Sequence, residues 1–135
     1  MTMILSAALA VPLALQAASA PEPEATETAP PAIASFDDLP IEQTTAPRCG
    51  IAFAVVEGLQ EAGHPGAQDV QEMAGSGARE FFVQAMARLM EDTGLDREAV
   101  KRIVDAEVQR HIAEEGKSAI EMMPACLLLK DASGL

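Results

Sequence analysis

The stretch "MMPACLLLKDASGL" (Met122–Leu135) ends the chain and carries one of its two cysteines, Cys126, in a run with few polar side chains. A short helix that is apolar on nearly every side has to be buried. We therefore predict that this end of the chain is part of the core. The other cysteine, Cys49, lies in "PRCGIAFAVVEG" (Pro47–Gly58), at the opposite end of the predicted core.

The two cysteines predict a disulfide between Cys49 and Cys126. Their number is even, and an exported chain meets an oxidising compartment. Closing a loop of this length stabilises a fold by about 4.5 kcal/mol on the chain-entropy model, which is an upper figure. The alternative is a reactive thiol at Cys49, activated by a helix N-terminus and Arg48, but no Cys-x-x-Cys pair supports it.

The first twenty residues, "MTMILSAALAVPLALQAASA", contain no charged side chain and end in small residues. This pattern is typical of a secretory signal peptide at residues 1–20, with cleavage after Ala17 as an alternative because Pro21 follows Ala20. An uncleaved membrane anchor is a second alternative, although the apolar stretch from Ile4 to Leu15 is shorter than the roughly 20 residues of a spanning helix. We expect a periplasmic protein that leaves the membrane once the leader is removed.

Residues 21–46 form an acidic segment rich in Pro, Ala and Thr without a basic residue. Such a composition buries little apolar surface and predicts a disordered linker. Within it, "IASFDDLPI" offers four apolar side chains for binding a partner, the alternative being that they fold back on the protein's own helices. These candidates are Ile33, Phe36, Leu39 and Ile41.

The formal net charge of the chain is -12. A chain this acidic repels phosphate backbones and anionic lipid surfaces. We therefore expect neither nucleic acid nor a membrane surface as a partner.

Residues 47–135 predict a small all-α domain of four helices, because Ala, Leu, Met, Glu and Arg dominate and apolar residues do not alternate with polar ones. The strongest local signal is "TGLDREAV", in which Asp96 is suited to cap a helix and Leu95 to contact Val100. A capping-box spacing at Asp69–Glu72 predicts a further short helix. The predicted long helices run from Pro47 to Glu61, from Ser76 to Gly94, from Asp96 to Gly116, and from Ser118 onward with a kink or restart at Pro124.

Apolar periodicity predicts which faces of these helices are buried. In the third long helix the predicted buried residues are Val100, Ile103, Val104, Val108 and Ile112. The methionines occur at core spacings, which favours packing over copper binding.

No residue pattern indicates catalysis. Gly75-Ser76-Gly77 has neither the spacing of a nucleophile elbow nor the lysine of a phosphate loop. The acidic pairs, such as Glu114 with Glu115, lie on polar helix ends. His111 is predicted to pack at a core edge and His64 to be exposed in a turn. We predict no enzyme, cofactor or metal site, and keep a His64, His111 and methionine copper site only as an alternative.

Two blocks, "REFFVQAMARLMEDTGLDREAV" and "MMPACLLLKDASGL", resemble small exported alphaproteobacterial proteins of unassigned function. The resemblance covers about half of the mature chain, implies export and paired cysteines, and brings no activity. The leading hypothesis is thus a non-catalytic periplasmic protein that binds another periplasmic protein. The alternatives are a periplasmic acid-stress chaperone and a metal-handling protein.

Overall fold

Helix α1 (Ile41–Glu61) is the central element of the computed structural model, which describes residues 32–134. Ile51, Ala52, Phe53 and Val56 are all buried, and together they cover most of the helix circumference. A helix that is apolar on several sides is surrounded by others. Accordingly, α1 contacts each of the other helices.

The remaining elements follow α1 along the chain, after a 3₁₀ turn at Phe36–Asp38 that precedes it. No strand occurs in the range 32–134. The all-α fold with four long helices is confirmed. The other helices are α2 (Pro65–Gln68), α3 (Ala78–Thr93), α4 (Arg97–Ala113) and α5 (Lys117–Ala132).

The disulfide between Cys49 and Cys126 is confirmed, with the two Cα atoms 5.2 Å apart. It joins α1 to α5 within a core cluster that also contains Phe53, Phe81 and Met123. The rings of Phe53 and Phe81 meet edge to face with centroids 5.6 Å apart. A second cluster on the other side of α1 includes Phe36, Ile51, Met86, Leu89, Val100 and Ile103.

Helix α3 approaches α1 closely because α1 has a glycine at the crossing. A Cβ on Gly50 would lie 3.0 Å from the Cα of Phe82. Close packing of this kind leaves no room for an added methyl group.

The first helix begins earlier than predicted, at Ile41 instead of Pro47. Its first turn is packed, since Thr44 is buried and the Thr45 hydroxyl donates to the Ile41 carbonyl at 2.7 Å. Pro47 lies inside the helix and is itself buried. The helical unit thus extends into the segment predicted as a linker, whose residues 21–31 lie, like the predicted signal peptide, outside the described residues.

The loop between α1 and α3 also differs from the prediction. The short helix spans Pro65–Gln68 with Asp69 as its C-cap, because Pro65 suits a first helical turn. The Gln60 side chain organises this loop by donating to the carbonyls of Ala67, Val70 and Gln71 and accepting from the Met73 amide.

Helix α5 runs through Pro124 as one continuous helix, without the predicted alternative of a restart. It is also not buried on all sides: Met123 and Cys126 are buried, whereas Leu128 is 71% exposed. Helix α5 buries only one of its faces against the other helices. Lys130 packs at the end of that buried face. Among residues 32–134, no helix is both long and apolar enough to cross a bilayer.

Candidate functional site

The largest candidate site is a pocket of about 500 Å³ between α1 and α4. This volume lies within the range of about 300–1,000 Å³ that is typical of ligand pockets. Most of its walls are aliphatic or small. The lining residues are Ala54, Val55, Gly58 and Leu59 from α1, His64 from the following turn, Val108, His111 and Ile112 from α4, and Glu115 and Gly116 from the next turn.

Gly58 keeps the pocket open. A Cβ built on it would have no heavy atom within 4 Å, although Gly58 lies inside α1. Glycine in a helix interior destabilises the helix by about 0.5–1 kcal/mol relative to alanine. The helix therefore carries this residue where a side chain would project into the space between α1 and α4.

A close contact between α1 and the turn after α4 borders the same space. A Cβ on Gly116 would lie 2.2 Å from Cδ1 of Leu59, so a larger residue there would displace the Leu59 side chain. The φ angle of Gly116 is 75°, a left-handed conformation that glycine adopts readily.

His111 was predicted at a core edge, and its side chain is 0% exposed. Its Nδ1 lies 2.8 Å from the Ser118 hydroxyl of α5. Its Nε2 is buried without a hydrogen-bond partner and lies 3.9 Å from a carboxylate oxygen of Glu107. Burial lowers the pKa of His111 below its ordinary value of 6.5, against the opposing effect of the Glu107 carboxylate.

A cluster of ion pairs around the buried Glu107 carboxylate lies next to His111. The Glu107 carboxylate is buried, forms an ion pair with Arg110 one turn later and lies 3.6 Å from Nε of Arg48 on α1. Arg48 in turn pairs with Asp37 and lies over the ring of Phe36, 5.8 Å from its centroid. The cluster therefore joins the 3₁₀ turn, α1 and α4.

The arrangement of Ser118, His111 and Glu107 superficially resembles a nucleophile, base and acid. A nucleophile has to reach its substrate. Ser118, however, does not line the pocket, and Glu107 is engaged by two arginines. These contacts connect α4 to α5 and α1.

Glu115 is the one residue other than glycine with a positive φ, 53°, in the part of the chain that the structure describes. Its backbone is left-handed because the turn between α4 and α5 has to reverse direction within a few residues. Such a conformation costs a non-glycine residue about 1–2 kcal/mol. Glu115 is exposed and is one of the residues that line the pocket.

The structure separates the four apolar residues predicted to bind a partner. Phe36 is 1% exposed in the second core cluster, and Ile33 and Leu39 pack against that cluster. Only Ile41 is exposed, at 71%. The segment folds back on the protein's own helices, because the aromatic ring gains more from the core than from solvent.

The two histidines line the same pocket, a proximity that only the alternative copper site implied. His64 is half-buried, and its Nδ1 has no hydrogen-bond partner. In residues 32–134 no group of three or more His, Cys, Asp or Glu side chains could hold a metal ion, and Met73, Met86 and Met123 are buried in the core.

Several residues of the site were missed from the sequence. Glu107 follows Val100 by seven residues and precedes His111 by four, which places it on the same helix face as the buried residues. A charged residue at such a position was the signal that could have predicted its burial. Ile112, predicted as buried, is 58% exposed at the pocket. The buried face of α4 is rotated toward Glu107 and His111, where Glu107 lies near Arg48 of α1 and Nδ1 of His111 lies near the Ser118 hydroxyl of α5.

Comparison with family models, with curated proteins and with solved structures finds no match.

Proposed function

We propose that this chain is a non-catalytic periplasmic protein that binds another protein through the pocket between α1 and α4. The observation that carries the proposal is the pocket itself, which is large, mostly aliphatic and kept open by Gly58. Pockets of this kind bind apolar groups, because their burial removes apolar surface from water.

The location is part of the same proposal. The leader has the composition of a signal peptide. The Cys49–Cys126 disulfide fits an oxidising compartment. The partner would then be another exported protein.

The pocket can be closed without disturbing the core. Gly58→Leu places an aliphatic side chain in open space, so we expect a folded protein with an unchanged circular-dichroism spectrum. Capture from periplasmic extract is expected to retain a partner on the wild type and lose it on Gly58→Leu. Equal retention by both proteins would contradict the use of this pocket, and Val83→Leu on the outer side of α3 provides a matched surface control.

One observation favours the second candidate, an acid-stress chaperone. His111 is buried between α4 and α5 with a lowered pKa, so acid places a charge inside this packing. Loosening of α4 would then expose apolar surface to unfolding clients. Light scattering of an aggregating client at pH 3 and pH 7 tests this function, which requires suppression at the lower pH and its loss after reduction of the disulfide.

A further inference from the structure

We propose that the pocket selects an apolar group that lies next to a positive charge, and that its occupant is a basic amphipathic helix of the partner protein. This inference rests on the proposed function and specifies the chemistry of the partner. The carboxylate of Glu115 provides the selectivity, and the aliphatic walls on α1 and α4 provide the contact area.

The charges of the lining favour a cation. Glu115 is its one carboxylate, and the lining contains neither Lys nor Arg. An anionic group in this position would lose hydration without gaining an opposite charge. A lysine or arginine beside the bound apolar group would gain a partner in Glu115.

The basic residues nearest in the chain are already engaged. Arg110 pairs with Glu107, and Nζ of Lys117 lies 3.8 Å from a carboxylate oxygen of Glu121. They therefore do not neutralise the pocket. The whole chain adds to the attraction, since its formal net charge is -12 and its sequence pI is about 4.4.

The backbone of Glu115 is an independent observation that points the same way. Its φ of 53° lies in a region where glycine would be less strained. Residues held in such conformations cluster at binding and catalytic sites. Glu115 therefore combines a strained backbone with a place in the lining of an apolar pocket. Recognition of a cation beside an apolar group requires an acidic residue in such a place.

The shape of the pocket favours a helix as the occupant. The pocket lies between two helices and is lined along α1 from Ala54 to Leu59, with Val108 and Ile112 opposite. Ile112 is 58% exposed and becomes buried when the space is filled. An amphipathic helix places apolar residues at positions i and i+4 into such a groove and keeps its charged residues beside it.

The test uses two synthetic helical peptides with the same leucines at i and i+4. One carries lysines on its polar face and the other carries glutamates. Fluorescence anisotropy measures their binding to the full mature chain at low and at physiological salt, and backbone chemical shifts locate the bound peptide. We expect the lysine peptide to bind at the pocket and the glutamate peptide to bind at least about tenfold more weakly.

Matched variants separate the role of Glu115 from that of the general negative field. Glu115→Gln is expected to weaken binding of the lysine peptide by up to about fivefold, the upper end of the range of an exposed ion pair. Glu114→Gln removes the adjacent carboxylate, which does not line the pocket, and is expected to change binding far less. Gly58→Leu is expected to abolish binding.

The outcomes distinguish the two proposals. If neither peptide binds, or if Gly58→Leu binds as well as the wild type, the proposed use of the pocket fails and this inference fails with it. If both peptides bind at the pocket with equal affinity, the pocket remains a binding site and the selection for positive charge is wrong. Equal weakening by Glu114→Gln and Glu115→Gln would overturn the role of Glu115.

Discussion

At the scale of single residues, the burial of His111 makes the stability of the folded chain depend on pH. It contacts Ser118 of α5 and lies near Glu107 within its own helix, and its neutral form is favoured by burial. Arg110 and Arg48 oppose its protonation, whereas Glu107 and Glu114 favour it. The balance lowers its pKa, so the folded chain holds this proton less tightly than the unfolded chain.

The stability of the protein is therefore expected to fall as pH decreases from about 7 through the ordinary histidine value of 6.5 and on to the lowered pKa of the folded state. In this window the unfolded state binds more protons, so that the free energy of unfolding rises with pH. Urea unfolding from pH 7.5 to 5 measures the slope. His111→Gln should flatten it, and an unaltered slope in His111→Gln would show that other groups cause it.

Glu115 predicts a conflict between stability and binding. Glu115→Gly relieves the left-handed backbone and is expected to raise the free energy of unfolding by about 1 kcal/mol. Glu115→Gln retains the strain and should be nearly neutral in stability. Chemical unfolding of the two variants measures the difference, and a less stable Glu115→Gly would mean that the side chain makes contacts that outweigh its backbone strain.

At the scale of elements, two glycines of α1 have opposite roles. Gly50 lies against the backbone of α3, whereas Gly58 faces open space. Gly50 allows α1 and α3 to approach each other closely. Gly58 leaves the space between α1 and α4 unfilled. The identity of the residue is the same, and its surroundings decide its effect.

Gly50→Ala is accordingly expected to destabilise the fold by about 1–3 kcal/mol, because the new methyl group would lie 3.0 Å from the Phe82 Cα. Gly58→Ala is the matched control and is expected to stabilise the protein by about 0.5–1 kcal/mol through helix propensity. Thermal melts of both variants compare them directly. A Gly50→Ala protein as stable as the wild type would mean that α3 shifts without cost.

The helix ends and the pocket also show which features of the structure local sequence patterns can predict. Asp96 was predicted as a helix cap and accepts from the Ala99 amide at 2.8 Å, because capping depends on residues close in sequence. The last helix was predicted to begin at Ser118, but it begins at Lys117, and the Ser118 hydroxyl instead pairs with His111 in a contact between two helices. The pocket was not predicted, since it depends on the distance between α1 and α4, which no local pattern contains.

At the scale of the whole molecule, one covalent bond joins the first and last helices. Cys126→Ala removes a cross-link that spans 77 residues and is expected to lower the free energy of unfolding by about 2–5 kcal/mol. The double variant Cys49→Ala with Cys126→Ala excludes effects of a free thiol. Guanidinium unfolding of the oxidised wild type and both variants provides the measurement, and equal midpoints would show that packing alone determines stability.

Because of the cross-link, we also expect different helices to open locally at different rates. It holds α1 to α5, whereas α4 has no covalent tie and makes fewer contacts with the other long helices than α1, α3 or α5. Local opening is easiest where contacts are few. In native-state hydrogen exchange, the amides of α4 would exchange before those of α1, and an occupant that bridges both helices would slow exchange mainly in α4. With that result, the pocket would have one fixed wall and one wall that adjusts to the size of what it holds.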